Sequence, residues 1–159
     1  MLKFDSKGLL TPNTKIVASV AELKIHFVDA IPSATRPKIF DSYIKYSDAL
    51  KNLLQGQPLQ QWINGSFVTQ IPNPKDIDMI TFIDYQVVAK LGTQLDNFCV
   101  KGSFKVYGVD AYILEVYSES HEKHFFYKSD VSYWMDRFDK TRRDLSGKKN
   151  PKGFLEIIY

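Results

Sequence analysis

Between Trp62 and Ile80 the chain reads Trp-Ile-Asn-Gly-Ser-Phe-Val-Thr-Gln-Ile-Pro-Asn-Pro-Lys-Asp-Ile-Asp-Met-Ile, and no other stretch restricts the fold as much. An apolar run ends at Gly65-Ser66, a connection broken by Pro72 and Pro74 follows, and Asp76 and Asp78 open a second apolar run. That order describes a strand, a tight turn, a short connection and a second strand. Residues two apart in a strand leave the same face, so the two carboxylates are expected side by side. Like charges placed together cost free energy. A hard divalent cation bound through oxygen ligands would offset that cost. The segment therefore reads as a metal-holding edge beside a phosphate-binding turn.

Around it, helical and strand patterns alternate. Residues 1–14, with Gly8, Pro12, Asn13 and Thr14, read as an extended N-terminal arm with turns. Val17 to Val28 has helical apolar spacing, with Ser19 or Thr14 as its cap, and Pro32 and Pro37 bound a loop. From Lys38 to Leu54 a longer amphipathic helix is expected, ending at Gly56. Gln61 to Asn64 is a short strand, Phe67 to Ile71 a helical turn, and Asp76 to Ile83 a central strand. Tyr85 to Phe98 reads as helix, Val106 to Tyr117 as a third strand and Tyr127 to Arg142 as an aromatic-rich helix. After a loop at Gly147, Pro151 and Gly153, Phe154 to Tyr159 closes as a strand, so 147–159 is a C-terminal loop and strand. The alternation predicts an α+β fold, a small mixed β-sheet packed against helices. The 159 residues suit one domain.

Composition narrows the class. With 44% hydrophobic and 25% charged residues the chain is an ordinary globular one. No apolar stretch approaches the roughly 18 to 20 residues needed to span a bilayer. The start, Met-Leu-Lys-Phe-Asp-Ser-Lys, lacks a signal-peptide core. Cys99, expected to be a small buried residue, has no second cysteine to pair with, so the cytoplasm is the expected compartment. Charge is unevenly placed: residues 137–152 carry seven cations against Asp139 and Asp144, a local +5 that leaves −2 for the rest of a chain at +3. A basic stretch of that kind either steers an anionic ligand or forms a solvated helix end and loop.

The Gly-Ser pair, nine intervening residues and Asp-Ile-Asp resemble the nucleotidyltransferase superfamily, the polymerase-beta-like fold. That family's motif is an apolar residue, Gly, Gly or Ser, then about nine to thirteen residues to an Asp-x-Asp or Asp-x-Glu pair, filled here by Gly65, Ser66, Asp76 and Asp78. Its third carboxylate lies on a later strand, where Asp110 in Tyr-Gly-Val-Asp-Ala-Tyr-Ile-Leu matches best. Within the superfamily the chain is most similar to a small uncharacterised bacterial group. Phe4-Asp5-Ser6-Lys7-Gly8-Leu9-Leu10-Thr11-Pro12, the Gly-Ser-Phe-Val-Thr turn and Lys152-Gly153-Phe154-Leu155-Glu156-Ile157 carry that likeness over nearly the whole chain. Asn64 departs from the pattern, being polar where the superfamily has an apolar residue.

The resemblance implies a fold, an activity and roles. Gly65 would let the backbone approach a ligand without a Cβ in the way. Ser66 would offer its amide and hydroxyl to a phosphate oxygen at the start of a helical turn. Asp76, Asp78 and Asp110 would be both catalytic and metal-binding, holding Mg²⁺ or Mn²⁺ against the nucleotide phosphates, with Asp110 also taking the proton of an attacking hydroxyl. Lys75, Arg142 and Arg143 are expected to touch the nucleotide, with Lys148 and Lys149 as further phosphate or acceptor contacts. The implied reaction moves a nucleoside monophosphate from an NTP such as ATP to an acceptor hydroxyl. Small members of the superfamily resemble antitoxins that modify a small helical toxin, which makes a protein acceptor the leading partner and RNA a weaker one. The alternatives are an inactive binding or scaffold subunit of the same fold, or transfer to RNA or a small molecule.

Other constellations are weaker. His121-Glu122-Lys123-His124 lacks the spacing of a zinc-binding helix and reads as a polar loop. Phe125, Phe126, Tyr127, Tyr133, Trp134 and Phe138 read as a core-facing stripe rather than a base-stacking platform. Glu115 sits at an odd offset from Asp110, on the opposite face of that strand.

Overall fold

Ser19 starts the first helix because its side chain accepts from the Glu22 amide while Glu22 reaches back to the Ser19 amide, a capping box. In the computed structural model, which describes residues 2–159, that helix is α1 (Val20–Lys24), running on as a π-helical turn Ile25–Asp29. Residue 1 of the expected arm lies outside the described residues. The residues just before the cap, Lys15–Val17, form strand β3 instead of the expected first turn of helix. A β1 (Lys3–Phe4) and β2 (Leu10–Thr11) hairpin precedes it, and fully buried Leu10 anchors this arm in the core.

The long helix α2 (Arg36–Leu53) begins two residues before its expected start, with Pro37 in its first turn, where a missing amide proton costs nothing. Strands β4 (Gln60–Asn64), β5 (Asp78–Asp84), β6 (Asp110–Val116) and β7 (Phe154–Ile158) complete a five-stranded mixed sheet in the order β3-β7-β4-β5-β6. The pairs β3–β7 and β5–β6 are parallel, while β4 runs antiparallel to both β7 and β5. Helix α3 (Tyr85–Leu91), a 3₁₀ segment Gly92–Phe98 and α4 (Val100–Tyr107) connect β5 to β6. The expected third strand therefore starts late: Val106 and Tyr107 belong to α4, which ends where Gly108 adopts a left-handed conformation.

Two apolar layers follow from strand alternation. One face, with Ile63, Met79, Ala111 and Ile157, packs on Leu23, Phe27, Tyr43, Tyr46 and Leu50 of α1, its π-turn and α2. The other, with Trp62, Ile80, Leu114 and Phe154, is covered by α5 (His124–Phe138) through Phe138, Trp134 and Tyr127. The expected aromatic stripe is thus only half a core face, because Phe125, Phe126 and Tyr133 are exposed. Cys99 is half-buried, not buried, with its thiol against the Leu95 carbonyl. No described helix is long and apolar enough to cross a membrane.

Candidate functional site

Asn64, the last residue of β4, pairs in register with Asp78 of β5, which pairs with Asp110 of β6. One row across three adjacent strands thus carries an amide and two carboxylates on the face that α5 covers, since residues opposite one another share a face. The Asp110 amide donates to the Ile77 carbonyl at 3.0 Å, which fixes this end of the row. The chain leaves α5 after Phe138, and Asn64 and Asp78 of the row stand in the wall of an open cavity of about 770 Å³.

Seven of the eight expected site residues, Gly65, Ser66, Lys75, Asp76, Asp78, Arg142 and Arg143, line that cavity together; Asp110 does not. Gly65 has φ +81°, a left-handed value, and a Cβ built there would overlap the Asp78 carboxylate. Only glycine lets this turn lie against that aspartate. The helical turn after it is a 3₁₀ segment of three residues, Ser66–Val68, shorter than the expected 67–71. What holds the loop is therefore not helix but Arg36. Its buried guanidinium donates to the carbonyls of Phe67 and Thr69 at 2.7 Å and Ile71 at 2.6 Å, and to Phe27 at 2.9 Å. Burial pushes this guanidinium down to about 10, still cationic at neutral pH.

Asp76 precedes β5, contrary to the expected strand start, and is half-buried on the connecting loop. It nevertheless lines both the large cavity and a shallower one of about 360 Å³ that also reaches Asp110. The carboxylates are close enough to act on one another. Burial, then the charges of Asp76 and Asp110, push Asp78 up to about 6, against the opposing pull of Arg142 and Lys152. Burial and Asp76 likewise raise Asp110. Among the described residues, no group of three His, Cys, Asp or Glu side chains forms a ready metal cage. The donors present are carboxylate oxygens under mutual repulsion, which fits a hard cation that takes one or two carboxylates and fills its shell with phosphate and water.

The basic stretch is folded over the large cavity. Thr141 and Lys152 donate to the carbonyls of Asn150 and Asp139, both at 2.8 Å, closing residues 139–152 into a loop. Arg142 places Nη2 3.8 Å from Asp78 Oδ1, a weak pair because the arginine is almost fully exposed. Arg143 and Lys149 also line the cavity, and Arg143 donates to the Gly147 carbonyl at 2.9 Å; Lys148 is not among the lining residues. Sequence reasoning missed Lys152 as a site residue. It is buried beside Phe154, its Nζ donates to Asn64 Oδ1 and to the Gly65 carbonyl (3.2 Å), and burial lowers it to about 8. The signal was Asn64 itself, a polar residue ending an apolar strand, which needs a buried partner.

His121 and His124 form no metal site: His121 packs on Tyr85 and Tyr117, and the His124 ring nitrogen lies 2.9 Å from the Tyr117 carbonyl. Glu115 lies one residue out of phase with Asp110, facing away from the row, and accepts from the Tyr117 hydroxyl. No curated protein and no solved structure matches the chain. A model described as a family of unknown function (DUF6932) matches residues 2–158, and the chain belongs to that family.

Proposed function

We propose that this protein is a nucleotidyltransferase of polymerase-beta-like fold that moves a nucleoside monophosphate from an NTP to an acceptor hydroxyl. The observation that carries the reading is the register Asn64–Asp78–Asp110, with the Gly65 turn pressed against Asp78. Nothing in the core requires two charged carboxylates in one row, beside a third on the preceding loop, and their mutual repulsion is costly until an ion or a ligand cation joins them.

The donor triphosphate lies in the large cavity, where Arg142, Arg143 and Lys149 on the overlying loop supply cations and Ser66 supplies a hydroxyl and an amide. Asp76 and Asp78 would hold Mg²⁺ with the phosphates, and the ion would supply positive charge to the phosphoryl oxygens. Asp110, made a stronger base by burial and by Asp76, accepts the proton of the acceptor hydroxyl. The acceptor oxygen forms a bond to the α-phosphorus, the bond from that phosphorus to the bridging oxygen breaks, and pyrophosphate leaves with the electron pair. Lys152 braces the Gly65 turn from behind through Asn64 and the Gly65 carbonyl.

A second reading, a nucleotide-binding scaffold of the same fold without turnover, rests on there being no formed three-carboxylate cage among the described residues. One assay separates the two. Purified protein is incubated with each α-labelled NTP, Mg²⁺ or Mn²⁺ and a lysate, beside Asp78→Ala. Metal-dependent label on a macromolecule, lost in the variant, supports transfer. Nucleotide binding with no label under any condition supports the scaffold.

A further inference from the structure

The second concavity shares Asp76 with the large cavity, reaches Asp110, and is walled by α4. Val100 and Phe104, one helical turn apart, present apolar side chains that are 50% and 59% exposed. Lys101 and Lys105, again one turn apart, line it as well, and among the described residues neither is in an ion pair. The floor is Asp76 and Asp110. Val100 has φ +49°, a left-handed value that a β-branched residue adopts only under strain, and such strain collects where a surface serves a ligand.

We infer that this α4 groove is the acceptor subsite, and that it takes a protein segment in which an apolar or aromatic residue is flanked by acidic ones. The inference rests on the transferase reading. Charge places the parts: acidic flanks pair with Lys101 and Lys105 on the rim, while the acidic floor rejects carboxylates and admits only a neutral hydroxyl. Val100 and Phe104, with exposed Val106 beyond them on α4, offer more aliphatic surface than a base-stacking platform needs, which favours protein over RNA. A hydroxyl seated there meets Asp110, which lines this groove and not the large cavity, and Asp76 touches both spaces.

The test measures binding, so it does not depend on turnover. Fluorescein-labelled peptides, Glu-Asp-Tyr-Ile-Glu-Asp and its counterpart Lys-Lys-Tyr-Ile-Lys-Lys, and a single-stranded RNA hexamer are titrated with the full chain by fluorescence anisotropy. A labelled ATP analogue is titrated in parallel. The acidic peptide is expected to bind at least 10-fold more tightly than the basic one. Lys101→Glu/Lys105→Glu is expected to reverse that order, and Phe104→Ala to weaken the acidic peptide at least 5-fold, with the ATP analogue unchanged in both. Equal binding of the two peptides, an order unaffected by charge reversal, or binding of the RNA alone would overturn the inference. Loss of the ATP analogue from the unmodified protein with peptide discrimination intact would sink the transferase reading and leave the groove as a peptide site.

Discussion

Replacing Asp78 by Asn should make the metal-free protein more stable while removing the proposed nucleotidyl transfer. Asp78 stands at about 6 in the folded chain against 3.8 for a free side chain, chiefly from burial and then from Asp76 and Asp110. Each pKa unit is about 1.4 kcal/mol, so roughly two units correspond to about 3 kcal/mol of strain at neutral pH. The sign follows from proton counting. A carboxyl whose folded pKa is raised adds stability below its unfolded value and loses that contribution as pH rises through about 6. Asn is a neutral isostere and carries no such loss. For a chain of this size about 3 kcal/mol corresponds to a rise of about 6–12 °C in melting temperature. The assay is thermal unfolding in EDTA at pH 7.5 and pH 4.0, followed by calorimetry. The variant should melt higher at pH 7.5 and level with the unmodified protein at pH 4.0. Adding Mg²⁺ and ATP should stabilise only the unmodified protein. An equal or lower melting temperature for Asp78→Asn at pH 7.5, or a gap of the same size at both pH values, would refute the argument.

Three further outcomes follow from the same geometry. Gly65→Ala puts a methyl group into the Asp78 carboxylate at φ +81°, and should cost about 1–3 kcal/mol in denaturant titration and abolish binding of a fluorescent ATP analogue. Lys152 has a folded pKa near 8 instead of 10.5, so the unfolded chain binds more protons between those values. The stability of the unmodified protein relative to Lys152→Met should therefore rise from pH 8 to 10.5, and the Lys152 ¹³Cε shift should titrate near pH 8. Arg36→Met strands the carbonyls of Phe27, Phe67, Thr69 and Ile71, and should cost about 3–5 kcal/mol with loss of nucleotide binding.

The strand–turn–strand around Gly65 and the closing strand Phe154–Ile158 were legible in sequence because apolar runs and turn residues coincide there. The placement of Asp78 and Asp110 on neighbouring strands was legible too, though only through the motif. Helix α4 was hidden for a physical reason. Its residues Val100, Gly102 and Val106 have poor helix propensity, and Gly102 is present because a Cβ would run into the Asp96 carbonyl of the preceding 3₁₀ segment. Strand β3 is three residues long and is stabilised by β7, so nothing local announces it. Lys152 read as one more cation in a basic run; its burial depends on Asn64, far away in the chain.

Strand β7 slides between β3 and β4, and Lys152 lies two residues ahead of it. Closing the sheet and arming the turn are for that reason a single event. A protease that nicks the backbone between residues 152 and 158, or a competitor that peels this segment away, would release the Gly65 turn at a point remote from the carboxylates. Such cutting would behave as an off switch, not as the trimming of a tail.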